Sequence, residues 1–227
     1  MCYRVSTNFS HIDVGKIKEF KVSKVASEFE PRFNVAPSQR IPVIVPGSRV
    51  LDLYKWGLIP SWAKDSSIGD KLGNARSETI DEKPSFRGSF KNKRCLVLVS
   101  GFYEWDSSKQ PYHMQLLNQK IFALAGLWDI WRHPESETIK SCTVITCEPN
   151  DIIGSIHNRM PVILKPEDYE TWLTTENLEK AKKLLKPFDD KLMKGYEVSK
   201  QVNYYKNDFP ELIKPVSKKK DPQQTLF

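Results

Sequence analysis

The stretch RCLVLVSGFYEW (residues 94–105) is apolar at almost every position, broken by Ser100, Gly101 and a single carboxylate, Glu104. A short run dense in Val, Leu and aromatic side chains reads as a buried strand. Five further segments have the same character: RIPVIVPG (40–47), RVLDLYKWGLI (49–59), PYHMQLL (111–117), KIFALAGLWDIW (120–131) and IKSCTVITCEP (139–149), each set off by Gly, Pro, Asn or Ser. Helical patterning is confined to residues 14–20, 149–156 and 166–185, the last opening with Pro166 and the acidic first turn EDYETWL. Runs of strands with a few inserted helices predict an α+β fold: a mainly antiparallel, barrel-like β-sheet core with a few flanking helices. One domain is expected over residues 1–213. A polar, Pro-containing tail follows over 214–227.

The composition supports this. With 227 residues, 6 Trp, 11 Phe and 8 Tyr, the chain has enough large side chains for one substantial core. The formal net charge of +7 attracts polyanions and favours nucleic acid over neutral metabolites as a partner. Much of that charge lies late, in the lysines between Glu179 and Asp221, where a solvated helix and tail account for it equally well. The first twenty residues carry no apolar run behind a basic cap, and no stretch approaches the ~18 apolar residues of a membrane span. The expectation is a soluble, cytoplasmic protein with reduced thiols. Cys2, Cys95, Cys142 and Cys147 contain no C-x-x-C spacing, so neither a disulfide framework nor a zinc site is expected, and no cofactor is implied.

Four stretches carry more polar chemistry than a core requires. The first is the start, MCYR: removal of Met1 leaves the Cys2 thiol beside a free α-amine. That amine has a reference pKa of about 7.7–8.0, so a useful fraction is nucleophilic at neutral pH. A β-aminothiol traps an aldehyde first as a Schiff base and then as a thiazolidine ring. The second is NARSET (74–79), polar almost throughout and placed after WGLIPSWAKD; the third is Glu104 within its apolar strand; the fourth is SIHNRMPVIL, with His157 and Arg159 at a helix-to-strand junction. Each alone has an ordinary explanation as a turn, a solvent-facing strand position or a hydrogen-bonded structural histidine.

Taken in order, Cys2, RFNVAPSQ, WGLIPSWA, NARSET, GFYEW and IHNRMPVIL resemble the SOS response-associated peptidase family, the abasic-site processing proteins, from residue 2 to about residue 205. The family opens Cys-Gly-Arg, whereas Tyr3 stands in the middle position here. The resemblance implies capture of abasic sites in single-stranded DNA through a thiazolidine crosslink, with associated lyase chemistry and loss of Met1. Carried over residue by residue, Cys2 is the nucleophile, Asn74 orients the amine or sugar, Glu104 transfers a proton during Schiff-base formation, and His157 handles the proton of sugar ring opening. Arg4, Arg76 and Arg159 are implied as phosphate contacts, and Trp62, Trp105, Asn34 and Pro37 as surface against bases. When engaged, such a protein is associated with the nucleoid.

Two other readings use the same residues. One is an amino-terminal-cysteine thiol peptidase or amidohydrolase with its own α-amine as base. The other is a non-covalent DNA-binding module in which Cys2 is incidental. The last five residues, QQTLF, resemble short peptides that dock on bacterial sliding clamps, with Gln223, Leu226 and Phe227 as anchors. Nothing in the sequence demands more than a monomer.

Overall fold

The computed structural model describes residues 3–10, 13–14, 24–25, 29–48, 50–132 and 138–216; Cys2, Gln223, Leu226 and Phe227 lie outside the described residues. In chain order the strands are β1 (Val5–Thr7), β2 (Lys24–Val25), β3 (Arg32–Val35), β4 (Arg40–Ile44), β5 (Val50–Trp56), β6 (Asn74–Arg76), β7 (Arg94–Val99), β8 (Gly101–Trp105), β9 (Pro111–Leu116), β10 (Phe122–Trp131), β11 (Ile139–Cys147), β12 (Met160–Pro161), β13 (Ile163–Leu164) and β14 (Met193–Glu197). The helices are α1 (Pro84–Asn92), α2 (Asp151–Gly154), α3 (Tyr169–Thr174) and α4 (Leu178–Lys182).

Five strands close into a barrel: β4 pairs with β5, β5 with β11, β11 with β10, β10 with β7, and β7 again with β4. Closure leaves these strands no free edge. Every joint in the ring is antiparallel except β5–β11, where Cys142 lies opposite Trp56 in parallel register. The second sheet is antiparallel throughout, in the order β14-β9-β8-β1-β3. The fold is therefore α+β, with a mainly antiparallel barrel-like core as expected. One continuous apolar cluster contains Val5, Phe102 and Met114 of the second sheet together with the barrel residues, so both sheets share a core.

The apolar run 94–105 is two strands rather than one. β7 belongs to the barrel and β8 to the second sheet, and the chain steps between them at Ser100, whose N–H donates to the Ser6 carbonyl at 2.8 Å. All six residues of β7 are buried, which is why the sequence shows no polar alternation there. Cys95 and Val97 share the face occupied by Gly126 of β10, where an added β-carbon would meet Val97 Cγ2 at 2.7 Å. Arg94, of opposite parity, bonds the Phe90 and Trp172 carbonyls through Nη1 and Nε. Trp172 in turn donates its indole N–H to the Cys95 carbonyl at 2.9 Å. Helices α1 and α3 thus cover the second face of β7.

Several expectations are revised. The helix expected over 166–185 is a 3₁₀ turn (Pro166–Asp168), α3 and then α4, because Asn177 caps a fresh helix start by accepting the Lys180 N–H. The charged stretch around Lys191 holds β14, an edge strand with two exposed residues. Packing also continues past residue 213: Pro215 bridges Val198, and the Val216 N–H donates to the Glu197 carbonyl at 3.0 Å. Of the helix expected over 14–20, residue 14 alone is described, and it is helical. Among the described residues no helix is long and apolar enough to cross a membrane.

Candidate active site

β1 and β8 run antiparallel, with Val5 opposite Phe102 and the Tyr103 N–H donating to the Arg4 carbonyl at 2.9 Å. Continued by one step, this register sets Tyr3 beside Glu104, so the amino-terminal end of β1 and the carboxy-terminal end of β8 meet. Glu104 is 2% exposed, and its Oε1 has no hydrogen-bond partner among the described residues. Burial favours the neutral acid, and its pKa is pushed up to about 7. Such a group holds or releases a proton near neutrality, as a general acid–base requires.

His157 supplies the second titratable group. Its Nδ1 stands 3.9 Å from Glu104 Oε2. An ion pair would raise the histidine and lower the glutamate, yet burial drives them in the opposite directions and so disfavours the doubly charged pair. Nδ1 lies 3.1 Å from the Arg159 backbone nitrogen and 3.2 Å from the Arg159 carbonyl oxygen, so the Arg159 backbone holds the ring in either tautomer. The His157 backbone N–H donates to the Ile153 carbonyl at 2.7 Å, fixing the residue to the end of α2. The positive charge of the chain's amino terminus offsets part of the shift at Glu104 and adds to that at His157.

The burial of Glu104 has a consequence for stability. Its folded pKa lies above the ordinary value of 4.5, so the folded state holds this proton more tightly than the unfolded chain does. The contribution is fully present below about pH 4.5 and is lost as pH rises through about 7. Urea unfolding at pH 5 and pH 8 should therefore show wild-type protein losing up to about 3 kcal/mol that Glu104→Gln retains. Parallel pH profiles for the two proteins would contradict this assignment.

The NARSET and HNRMP stretches meet across the site. β6 runs parallel to β11 with Asn74 opposite Val144, and half-buried Asn74 follows Gly73. A β-carbon at Gly73 would meet Tyr3 Cε1 at 3.3 Å and Pro37 Cγ at 3.5 Å, so Tyr3 and Pro37 pack against the residue that precedes Asn74. Arg76 is exposed at the end of β6. Arg159 is held in a bidentate pair with Glu78, Nη1 and Nη2 lying 2.5 and 3.0 Å from its carboxylate oxygens, and Nη2 also donates to the Thr146 carbonyl at 2.7 Å. Glu78, missed by sequence reasoning, thus neutralises part of the charge expected to face phosphate. The two residues are 81 positions apart, and no local pattern announces the pair.

Three expected surface residues are tied into the fold. Asn34 is fully buried, accepting from Arg4 Nη1 at 2.7 Å and donating from Nδ2 to the Val202, Tyr204 and Asn207 carbonyls. It faces inward because Nδ2 strings β3 to residues 202–207 while Oδ1 holds Arg4, and it presents no surface to a base. Arg4 also bonds the Val202 carbonyl at 2.7 Å, with its guanidinium 5.9 Å from the Trp105 ring. Trp105 donates its indole N–H to Asn203 Oδ1 at 2.7 Å.

Trp62, by contrast, is 60% exposed on a loop pinned on both sides. The Ser61 N–H donates to buried Asp129, and the Trp131 indole to the Ala63 carbonyl. Among the described residues no group of three or more His, Cys, Asp or Glu side chains comes together to hold a metal.

Known proteins resemble this chain in sequence and fold. A family model described as "SOS response associated peptidase (SRAP)" matches residues 1–205. The chain is 43% identical over 223 residues to the Bacillus subtilis protein named abasic site processing protein YoqW, covering 94% of this chain and 99% of that one. It is 33% identical to the Xenopus tropicalis abasic site processing protein HMCES, covering 87% of this chain and 70% of the relative. The crystal structure of a Bacteroides thetaiotaomicron protein superposes with a TM-score of 0.85 at 29% identity, over 95% of this chain and all of that one.

Proposed function

Because the chain belongs to the SOS response associated peptidase family, we propose that it processes abasic sites in single-stranded DNA by capturing the opened sugar on its own amino terminus. The observation that carries this reading is a buried Glu104 at the end of β8, with Oε1 unbonded among the described residues and Oε2 facing His157, beside the amino-terminal end of β1. The names of the relatives point to the same substrate.

The proposed chemistry uses these groups in turn. After Met1 is removed, the Cys2 α-amine attacks the sugar aldehyde, and water leaves to give a Schiff base. Neutral Glu104 donates the proton that water needs on departure, and Asn74 orients the amine. The Cys2 thiol then adds across the imine, sulfur to carbon and its proton to nitrogen, and the thiazolidine closes. His157 serves the ring oxygen of the sugar as it opens. If the Schiff base instead loses a sugar proton, β-elimination breaks the strand, which is lyase chemistry. Arg4, Arg76 and Arg159 hold flanking phosphates, with Arg159 exchanging Glu78 for the phosphate; Trp62, Trp105 and Pro37 line the path of the bases.

The test is a denaturing gel of the protein with an oligonucleotide carrying one abasic site, beside an undamaged strand and a borohydride-reduced abasic strand that lacks the aldehyde. A heat- and detergent-resistant band should form with the aldehyde alone. A band of equal strength with the reduced strand, or no band from protein lacking Met1, contradicts the proposal and leaves the thiol peptidase as the better reading.

A further inference from the structure

Resting on that reading, we propose that Tyr204 and Tyr205 form a stacking platform for the bases of single-stranded DNA beside the lesion. The two side chains are 55% and 50% exposed, large aromatic surface that the core does not use. Their ring centroids lie 5.8 Å apart at 57°, and Lys206 Nζ sits 6.0 Å from the Tyr205 ring.

The backbone that presents them is unusually well fastened. The Tyr204 carbonyl accepts from Asn34 Nδ2 at 3.2 Å and from the Asn207 N–H at 3.0 Å. Asp208 accepts the Phe33 and Asn34 backbone N–H groups and pairs with Arg32. A loop held this way loses little freedom when a ligand arrives, which favours binding by exposed aromatics.

The platform is continuous with the site. The 3₁₀ turn Lys200–Asn203 leads directly into Tyr204. Within that turn the Val202 carbonyl accepts from Arg4, and Asn203 accepts from Trp105, the neighbour of Glu104. Charge complements a phosphodiester chain: Lys200 and Lys206 are exposed on either side of the tyrosines. Asp106, which feels the Lys200 charge, has its carboxylate occupied by Ser108 and the Gln110 N–H. Aromatic faces flanked by cations bind bases without regard to sequence, as lesion recognition requires.

The test uses full-length protein and an undamaged single-stranded oligonucleotide long enough to run past the site in both directions. Tyr204→Ala/Tyr205→Ala should weaken binding by about 5- to 100-fold for each base that loses its stack, whereas Tyr204→Phe/Tyr205→Phe should bind as wild type. A 2-aminopurine placed beside the lesion position should be quenched by wild type and not by the alanine variant. Crosslinking to an abasic oligonucleotide trimmed at the lesion should be equal in wild type and the alanine variant. If wild type crosslinks but the alanine variant binds the long strand as tightly, the platform is overturned. If the alanine variant instead splits a dimer seen by sedimentation, the occupant is a second copy and the platform is likewise overturned. Weakened binding by a protein that never crosslinks would keep the platform and reject the abasic-site reading.

Discussion

Glu104→Gln should slow covalent capture of an abasic site by about 10²–10⁴-fold while leaving affinity for undamaged single strands unchanged. Glutamine has nearly the same shape and fills the same buried position, so what is lost is a transferable proton at the end of β8. With its pKa near 7, the native carboxyl is still substantially protonated where the terminal amine begins to be free. The wild-type rate should therefore pass through a maximum close to neutral pH. In Glu104→Gln the descending alkaline limb should vanish, since no acid remains to be titrated. An unchanged profile with an unchanged rate would remove Glu104 from the chemistry and leave it a buried structural residue. Set beside the gain in stability above pH 7 expected for the same variant, this would be a direct trade of stability for function at one side chain.

Trp172→Ala should cost about 3–5 kcal/mol of folding stability, read as a lower urea midpoint at constant slope. Trp172 is fully buried on the outer face of β7, tilted against Phe90 of α1 with centroids 6.3 Å apart, and the Arg94 guanidinium lies 5.7 Å from its ring. Removing the indole opens a cavity between α3 and the barrel and takes one donor from the Cys95 carbonyl. The site is built on β8, β6 and the loop after α2, so crosslinking measured well below the midpoint should persist. A loss under about 1 kcal/mol would mean that α3 collapses onto β7 without strain.

The barrel was legible because most of its strands are buried on both faces. β7, β10 and β11 carry long apolar runs that only a covered strand needs, β4 is buried at all but its first residue, and β5 alternates buried and partly exposed positions. The second sheet was harder to see. β1 and β3 are short, and β14 is a polar edge strand inside a lysine-rich stretch, so periodicity could not separate them from loop or solvated chain. Helix α1, PSFRGSFKN, was hidden by its Ser and Gly content although Pro84 starts it.

At the site, Glu104 stood out because a carboxylate within an apolar strand demands a reason, and the structure gives it a buried position next to His157. The inward turn of Asn34 and the pairing of Arg159 with Glu78 were not legible. Both depend on contacts across 80 or more positions, where residue type alone does not say which way a side chain faces. The same holds for His113, fully buried between Ser6 and the Tyr196 hydroxyl, with Gly101 leaving room for its ring.

The central claim is that the chain's own first residue is the nucleophile. It is tested most directly by incubating the protein with an abasic oligonucleotide, digesting with nuclease and trypsin, and locating the sugar adduct by mass spectrometry. The account predicts the adduct on Cys2-Tyr3-Arg4, with Met1 absent and both the α-amine and the thiol consumed. An adduct on a lysine, or on a peptide that still carries Met1, would contradict it.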